Sequence, residues 1–220
     1  MTMNPLVRMT AALTFAGLSM GAFAQAKNFE GMNVTGSVGY QSTTVKFTDI
    51  SLALLTVGDA SPAGATVNLG LEYIASINDQ YTLGLGLEMN PLASNAGRFE
   101  SSFNGTKITN GGGTSTISSS YALFVSPGMA VNKETLVYGK LGYVQISAKG
   151  TNDDGTTIPS STDSAYSLGL GLKQLMGKNT FLFGEVNYLI VQSKSGSGGG
   201  ITYKTSGSGM NGAVGIGYKF

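Results

Sequence analysis

Apolar and polar positions alternate with a period of two through most of the chain, which is the pattern of strands with one greasy face and one small or polar face. The cleanest segment is 66–77, with Val67, Leu69, Leu71, Tyr73, Ala75 and Ile77 on one side and Asn68, Gly70, Glu72, Ile74 and Ser76 on the other. Segment 81–90 repeats it, with Tyr81, Leu83, Leu85, Leu87 and Met89 against Thr82, Gly84, Gly86, Glu88 and Asn90. In 116–131, Tyr121, Leu123, Val125, Met129 and Val131 oppose Ser118, Ser120, Ala122, Ser126 and Gly128. In 164–176, Tyr166, Leu168, Leu170 and Leu172 oppose Ser167, Gly169, Gly171 and Lys173. The final segment, 201–220, sets Met210, Gly212, Val214, Ile216, Tyr218 and Phe220 against Asn211, Ala213, Gly215, Gly217 and Lys219.

Three further segments are less regular. Segment 136–147 is apolar on both faces and is oriented by turning Lys140 inward, which puts Val137, Leu141 and Tyr143 outside. Segment 180–191 is oriented the same way by Glu185 and Asn187. Segment 34–47 loses its phase near residues 42–44, which reads either as a bulge or as the strand leaving the membrane.

The connections decide how eight such strands are arranged. "NDQ", "NKET" and "GKN" join strands two to three, four to five and six to seven, whereas the other connections run to roughly 15–25 residues of Gly, Ser, Thr and Asn. Tight turns on one side, long loops on the other and both termini on the turn side describe a bacterial outer-membrane barrel. Each segment reaches the 9–11 residues or so that a tilted strand needs to cross a bilayer. In hydrocarbon an open sheet edge leaves a row of unpaired amides costing several kcal/mol each, so the sheet must close. The expected fold is all-β, a closed antiparallel eight-stranded up-and-down transmembrane β-barrel made from residues 25–220 as one domain. Segment 49–65 carries Ile50, Leu52, Leu54 and Leu55, which suits a strand extension, a loop folded onto the barrel mouth or a sticky surface. An extra hairpin there makes ten strands instead of eight.

Residues 1–24 read as a secretory signal peptide: Arg8 ahead of an apolar run, then Ala22-Phe23-Ala24 as a cleavage pattern. No later run of 18 apolar residues exists to make a membrane helix. Charged residues make up only 11% of the chain, against about 25% in a typical soluble domain, and 33 glycines leave little for a water-facing surface. A net charge of +1 gives no electrostatic reason to expect nucleic acid as a partner.

The last residues carry a more specific signal. Phe220 is a terminal aromatic, Tyr218 stands two before it, and Ile216 and Val214 continue every second position, with Gly212 a weak fit. This ending resembles the C-terminal assembly signal of bacterial outer-membrane proteins, and with the eight-strand layout the chain resembles small OmpA/OmpX-type barrels of the porin-family kind. The resemblance implies the outer membrane of a Gram-negative cell, insertion by the outer-membrane assembly machinery, and a monomer among lipids and lipopolysaccharide.

Outer-membrane enzymes resemble one another in using histidine to activate a nucleophile or water; this chain has no histidine and no cysteine, so no enzyme and no cofactor are expected. Asp153 and Asp154 in "TNDDGTT" read as a solvated hairpin tip rather than a metal site, and "SGSGGG" at 195–200 as a flexible loop tip. Glycine pairs such as Gly169 and Gly171 lack the strand-loop-helix context of a nucleotide loop and instead make room inside a narrow barrel.

Glu72, Glu88, Lys140, Lys173 and Glu185 all lie four to eight residues above their short turns, in one layer of the lumen. The two lysines are expected to pair with that carboxylate layer as a plug, the remaining carboxylate being held by Asn68, Asn187 or Tyr138 or else protonated. Two functions follow: a structural or permeability-related, porin-like barrel with a plugged lumen, ranked first, and a surface adhesin-like barrel whose loops bind a partner. For the second, Arg98 and Phe99 close to Phe103 form the one aromatic–basic loop cluster.

Overall fold

A computed structural model describes residues 25–92, 97–109, 111–198 and 201–220. The segment read as a signal peptide lies outside these residues. Eight long strands form the wall: β1 (Gly31–Thr48), β2 (Ala63–Ser76), β3 (Tyr81–Asn90), β4 (Gly113–Ala130), β5 (Thr135–Asn152), β6 (Thr157–Leu175), β7 (Thr180–Gly198) and β8 (Ile201–Lys219). Every neighbour is antiparallel, β1 pairs with β8 as well as β2, and β3 pairs with β4, so the ring closes with eight strands.

Two of the three short turns are built on an asparagine acceptor. Asn78 Oδ1 accepts from the amides of Gln80 and Tyr81 at 2.9 and 2.8 Å, and Asn132 Oδ1 accepts from Glu134 and Thr135 at 2.8 Å each. The opposite end departs from the reading of long loops at every second connection. β5 and β6 run on until only Asp153–Thr156 separates them, and β7 continues to Gly198, two residues short of β8. Residues 195–198 of the expected loop tip are therefore strand, and Gly199 and Gly200 lie outside the described residues. Ladder hydrogen bonds carry the strands on above the point where an apolar outer face stops being required. Residues 49–62 and 91–112 remain the two long connections.

Those two connections form a small sheet of their own. Leu55–Val57 pairs with Ser101–Phe103, which turns through Asn104 (φ 48°) and Gly105 (φ +75°) into Thr106–Lys107. Gly97–Phe99 instead pairs with the upper part of β4, filling the wall above the point where β3 stops. The hydrophobic run 50–55 thus adds no barrel strand.

Phase along the strands is corrected in two places. β1 keeps an unbroken register with β8 from Asn33↔Lys219 to Thr48↔Lys204, so it has no bulge; its faces exchange polarity because it has left the apolar band. In β4 a register shift between Ile117 and Ser119 sends Ile117 inward, and Ser118, expected inside, donates to the Ser147 carbonyl at 3.0 Å. Elsewhere the faces agree with the alternation: Leu69, Leu71, Tyr73, Leu85, Leu123, Leu141, Leu170 and Val186 are exposed outward, and Asn68, Glu72, Ser126, Lys140, Lys173 and Glu185 are buried inside.

Candidate functional site

The interior is stratified. At the turn end, Phe29, Ile74, Leu136, Leu175, Phe181 and Phe183 form an apolar floor with Ala26 and Ala130. Phe29 arrives on a short 3-10 helix, Ala26–Phe29, held by Ala26 N–H to the Asp79 carbonyl (2.9 Å), Asn28 Nδ2 to the Lys133 carbonyl (2.9 Å) and Lys219 Nζ to the Asn28 carbonyl (2.7 Å).

Above the floor the structure brings together all five charged residues singled out in the sequence. Lys140 Nζ lies 2.8 Å from Glu88 Oε2 and 2.9 Å from Glu185 Oε1, while Lys173 pairs with Glu72. Ser126 also donates to Glu72, and Glu185 receives Tyr138 Oη–H at 2.9 Å and Asn187 Nδ2–H at 3.0 Å. Three carboxylates and two ammoniums are reconciled by sharing: Lys140 serves two acids. Asn68 takes no part and donates to Ser37 at 3.3 Å. Lys140 and Lys173 are 5% and 4% exposed, so an unpaired charge here has no water to fall back on.

Aromatic faces complete the cage, and this the alternation alone did not reveal. Lys140 Nζ sits 4.5 Å from the centre of the Phe124 ring, and Lys173 Nζ sits 4.9 Å from Tyr138 and 5.5 Å from Phe181. Each large ring lies over a glycine on the neighbouring strand, Tyr138 over Gly171 and Phe124 over Gly86, where any side chain would overlap the ring. The available signal was parity: Phe124 shares a face with Ser126, and Phe181 and Phe183 share one with Glu185. Cavities of about 40 and 20 Å³ are the space found around this layer. On one side of the barrel Ile117, Val144, Ile146, Ala165 and Leu189 roof it with a second apolar cluster. Gln41, Asn68, Asn90 and Asn211 line the larger of the two spaces, about 40 Å³, together with Val144 and Leu189 of that cluster.

At the loop end the interior widens to a cup of about 580 Å³. Val45, Phe47, Ile50, Leu55, Val57, Phe99 and Tyr203 supply its apolar wall. The run 50–55 therefore folds onto the mouth through Ile50 and Leu55, while Leu52 and Leu54 stay exposed. The Arg98–Phe99–Phe103 cluster is taken apart: Phe99 stacks on Phe47 inside, Phe103 is exposed, and Arg98 Nη2 pairs with Asp153 Oδ2 at 3.0 Å. Asp153 is thus ion-paired rather than merely solvated, and Asp154 caps its turn through Thr156 N–H at 2.8 Å. That backbone bond holds the Asp154 carboxyl below its ordinary range. Among the described residues no three His, Cys, Asp or Glu side chains are grouped to hold a metal.

Val214, Ile216, Tyr218 and Phe220 all face outward and are exposed. The Tyr218 and Phe220 rings meet edge to face at 5.1 Å, and Phe220 N–H is held by the Met32 carbonyl at 2.9 Å.

Comparison with known proteins agrees with this architecture. No curated protein matches the chain. Among solved structures, the outer membrane protease OmpT from Escherichia coli is similar with a TM-score of 0.55 and 13% identity over 92% of this chain and 100% of that one. Ail, the attachment invasion locus protein of Yersinia pestis, solved with the heparin analogue sucrose octasulfate, gives 0.45 and 18% over 87% and 99%. OprG from Pseudomonas aeruginosa gives 0.41 and 16% over 87% and 96%. A closed antiparallel ring with an apolar outer band and a polar interior is the architecture of an outer-membrane barrel, and residues 10–220 match the family described as "Outer membrane protein beta-barrel domain": the chain belongs to it.

Proposed function

We propose that this is a non-conducting outer-membrane barrel, with a structural role in the membrane and its lumen closed by the Glu72–Lys173 and Glu88–Lys140–Glu185 pairs. The observation that carries the reading is the mid-lumen layer: two buried ammoniums, each satisfied by carboxylates reaching in from other strands, over a phenylalanine floor. A conducting pore needs a continuous water path, and spaces of about 40 and 20 Å³ hold isolated waters at most. The barrel stands as a monomer among outer-membrane lipids and lipopolysaccharide. It loses residues 1–24 on export and is inserted by the outer-membrane assembly machinery, which reads Val214, Ile216, Tyr218 and Phe220. Without histidine or cysteine it has no imidazole or thiol to activate a nucleophile or water, and we assign it no enzymatic role.

Planar-bilayer recording of refolded protein tests the closure. The unmutated barrel is expected to give no stable conductance, and Lys173→Ala to give a leak. A stable nanosiemens-scale conductance from the unmutated protein overturns the reading.

A second reading, a surface adhesin-like barrel, draws support from the exposed Leu52, Leu54 and Phe103 on and beside the small loop-end sheet. Leu54→Ser with Phe103→Ser should then abolish attachment of expressing cells to their partner surface without changing folding.

A further inference from the structure

The cup at the loop end serves no purpose in closing the lumen, since the charged layer and the floor lie beneath it. We infer that it is a binding site for a compact, uncharged ring-bearing small molecule.

Size is the first argument. At about 580 Å³ it is nearly ten times the two lumen spaces of about 40 and 20 Å³ together, and it falls within the range of roughly 300–1,000 Å³ typical of small-molecule sites. Its wall is the second. Phe47 stands between Phe99 and Tyr203 at centroid distances of 5.9 and 6.2 Å, with tilts of 48° and 58°. A planar ring entering beside them finds edges and faces in the arrangements that aromatic groups prefer. Left to water, the same surface is apolar area with nothing to cover it.

Charge is the third argument. The charged groups turned into the cup are Lys194 and Asp163, one of each sign, while Lys149 stands exposed at an outward-facing position of β5 beside inward Ala148. Lys194 Nζ lies 3.5 Å from Asp163 and donates to the Thr162 carbonyl at 3.1 Å. The rim is thus already balanced, and the ligand needs no net charge while its ring lies inside. The closed lumen beneath means that the ligand enters and leaves by the mouth.

The protein refolded into phosphatidylcholine nanodiscs can be titrated with N-phenyl-1-naphthylamine, an uncharged aromatic amine that fluoresces in apolar surroundings, with empty nanodiscs as the blank. One saturable site per chain is expected. Val57→Glu, placing a carboxylate in the wall, should weaken binding at least tenfold. Thr205→Trp, which fills the cup without adding charge, should do the same, and unheated gel mobility shows whether each variant is folded. Phe103→Ser, on the neighbouring sheet but outside the cup, should change affinity less than twofold. Lys194→Ala, which leaves the aromatic wall intact, should change affinity less than twofold. The site is refuted if no saturable signal is seen, if both cup variants bind normally, or if Phe103→Ser costs as much as they do. The uncharged character of the ligand is refuted if Lys194→Ala weakens binding as much as the cup variants do. None of these outcomes depends on whether the barrel conducts.

Discussion

Tyr40 and Phe47 stand seven residues apart on one unbroken strand and obey opposite rules. Tyr40 points out of the barrel and is 61% exposed to what the membrane supplies as lipid, with Gln41 behind it in the lumen. Phe47 points inward over the mouth, and its neighbours Lys46 and Thr48 face out. In the membrane tier the solvent outside is hydrocarbon, so apolar groups go out and polar groups must satisfy each other inside. Above it the solvent is water on both sides, and burial of apolar groups favours the only enclosed place left, the mouth. One backbone, with one register, serves both arrangements.

The sharpest way to break this contrast is at the charged layer. Lys173→Ala strands Glu72 in the lumen and should destabilise the barrel by about 4 kcal/mol in denaturant unfolding. Replacing both partners together, as Lys173→Met with Glu72→Gln, should restore most of that loss, since the cost lies in the unpaired charge rather than in the missing attraction. A loss under about 1 kcal/mol for the single variant would place the pair in the class of solvated surface bridges and undo the argument.

The outer face gives the next largest effect. Leu71→Arg, on the strand that carries Glu72, should cost about 3 kcal/mol in a bilayer, whereas Thr44→Arg, facing out on the upper part of β1, should stay within about 0.5 kcal/mol. Equal costs at the two positions would mean that the apolar band extends to Thr44 and that the tiers are drawn wrongly.

The smallest effect belongs to the loop-end sheet. Glu100 accepts from Lys107 Nζ at 2.6 Å and has Arg98 nearby; the Lys107 hydrogen bond chiefly, with the attraction of both cations, holds its carboxyl below the ordinary range. Because the folded value is the lower one, the pair contributes above the ordinary carboxylate range and is lost as pH falls through the lowered value. A carboxyl-carbon NMR titration should show Glu100 titrating low, and Lys107→Ala should return it to normal. An unchanged midpoint in that variant would show that Lys107 does not set it.

The same two rules explain what the sequence disclosed. Alternation against lipid is strong wherever the outer face is apolar, so the faces of β2, β3 and β6 and the inward turn of Lys140 and Glu185 were legible. Where strands leave the apolar band the outer face becomes Ser, Thr and Gly, and the pattern no longer separates strand from loop; the upper parts of β5, β6 and β7 were read short for that reason. The phenylalanines of the floor were harder still. Phe181 and Phe183 lie on the polar face, and only the neighbouring glycines and the arriving Phe29 make a place for them. That Lys140 would be shared by two acids depends on how strands far apart in sequence come level, which no single segment records.

The helix at Ala26–Phe29 has a consequence for the order of assembly. Its anchors are Asp79, Lys133 and Lys219, and its aromatic socket includes Ile74, Leu136, Leu175 and Phe181, drawn from most of the circumference. Contacts between residues so distant in sequence carry the largest loop-closure entropy and form late. Residues synthesised early are thus among the last to settle, and their docking is a signal that the circle behind them is complete.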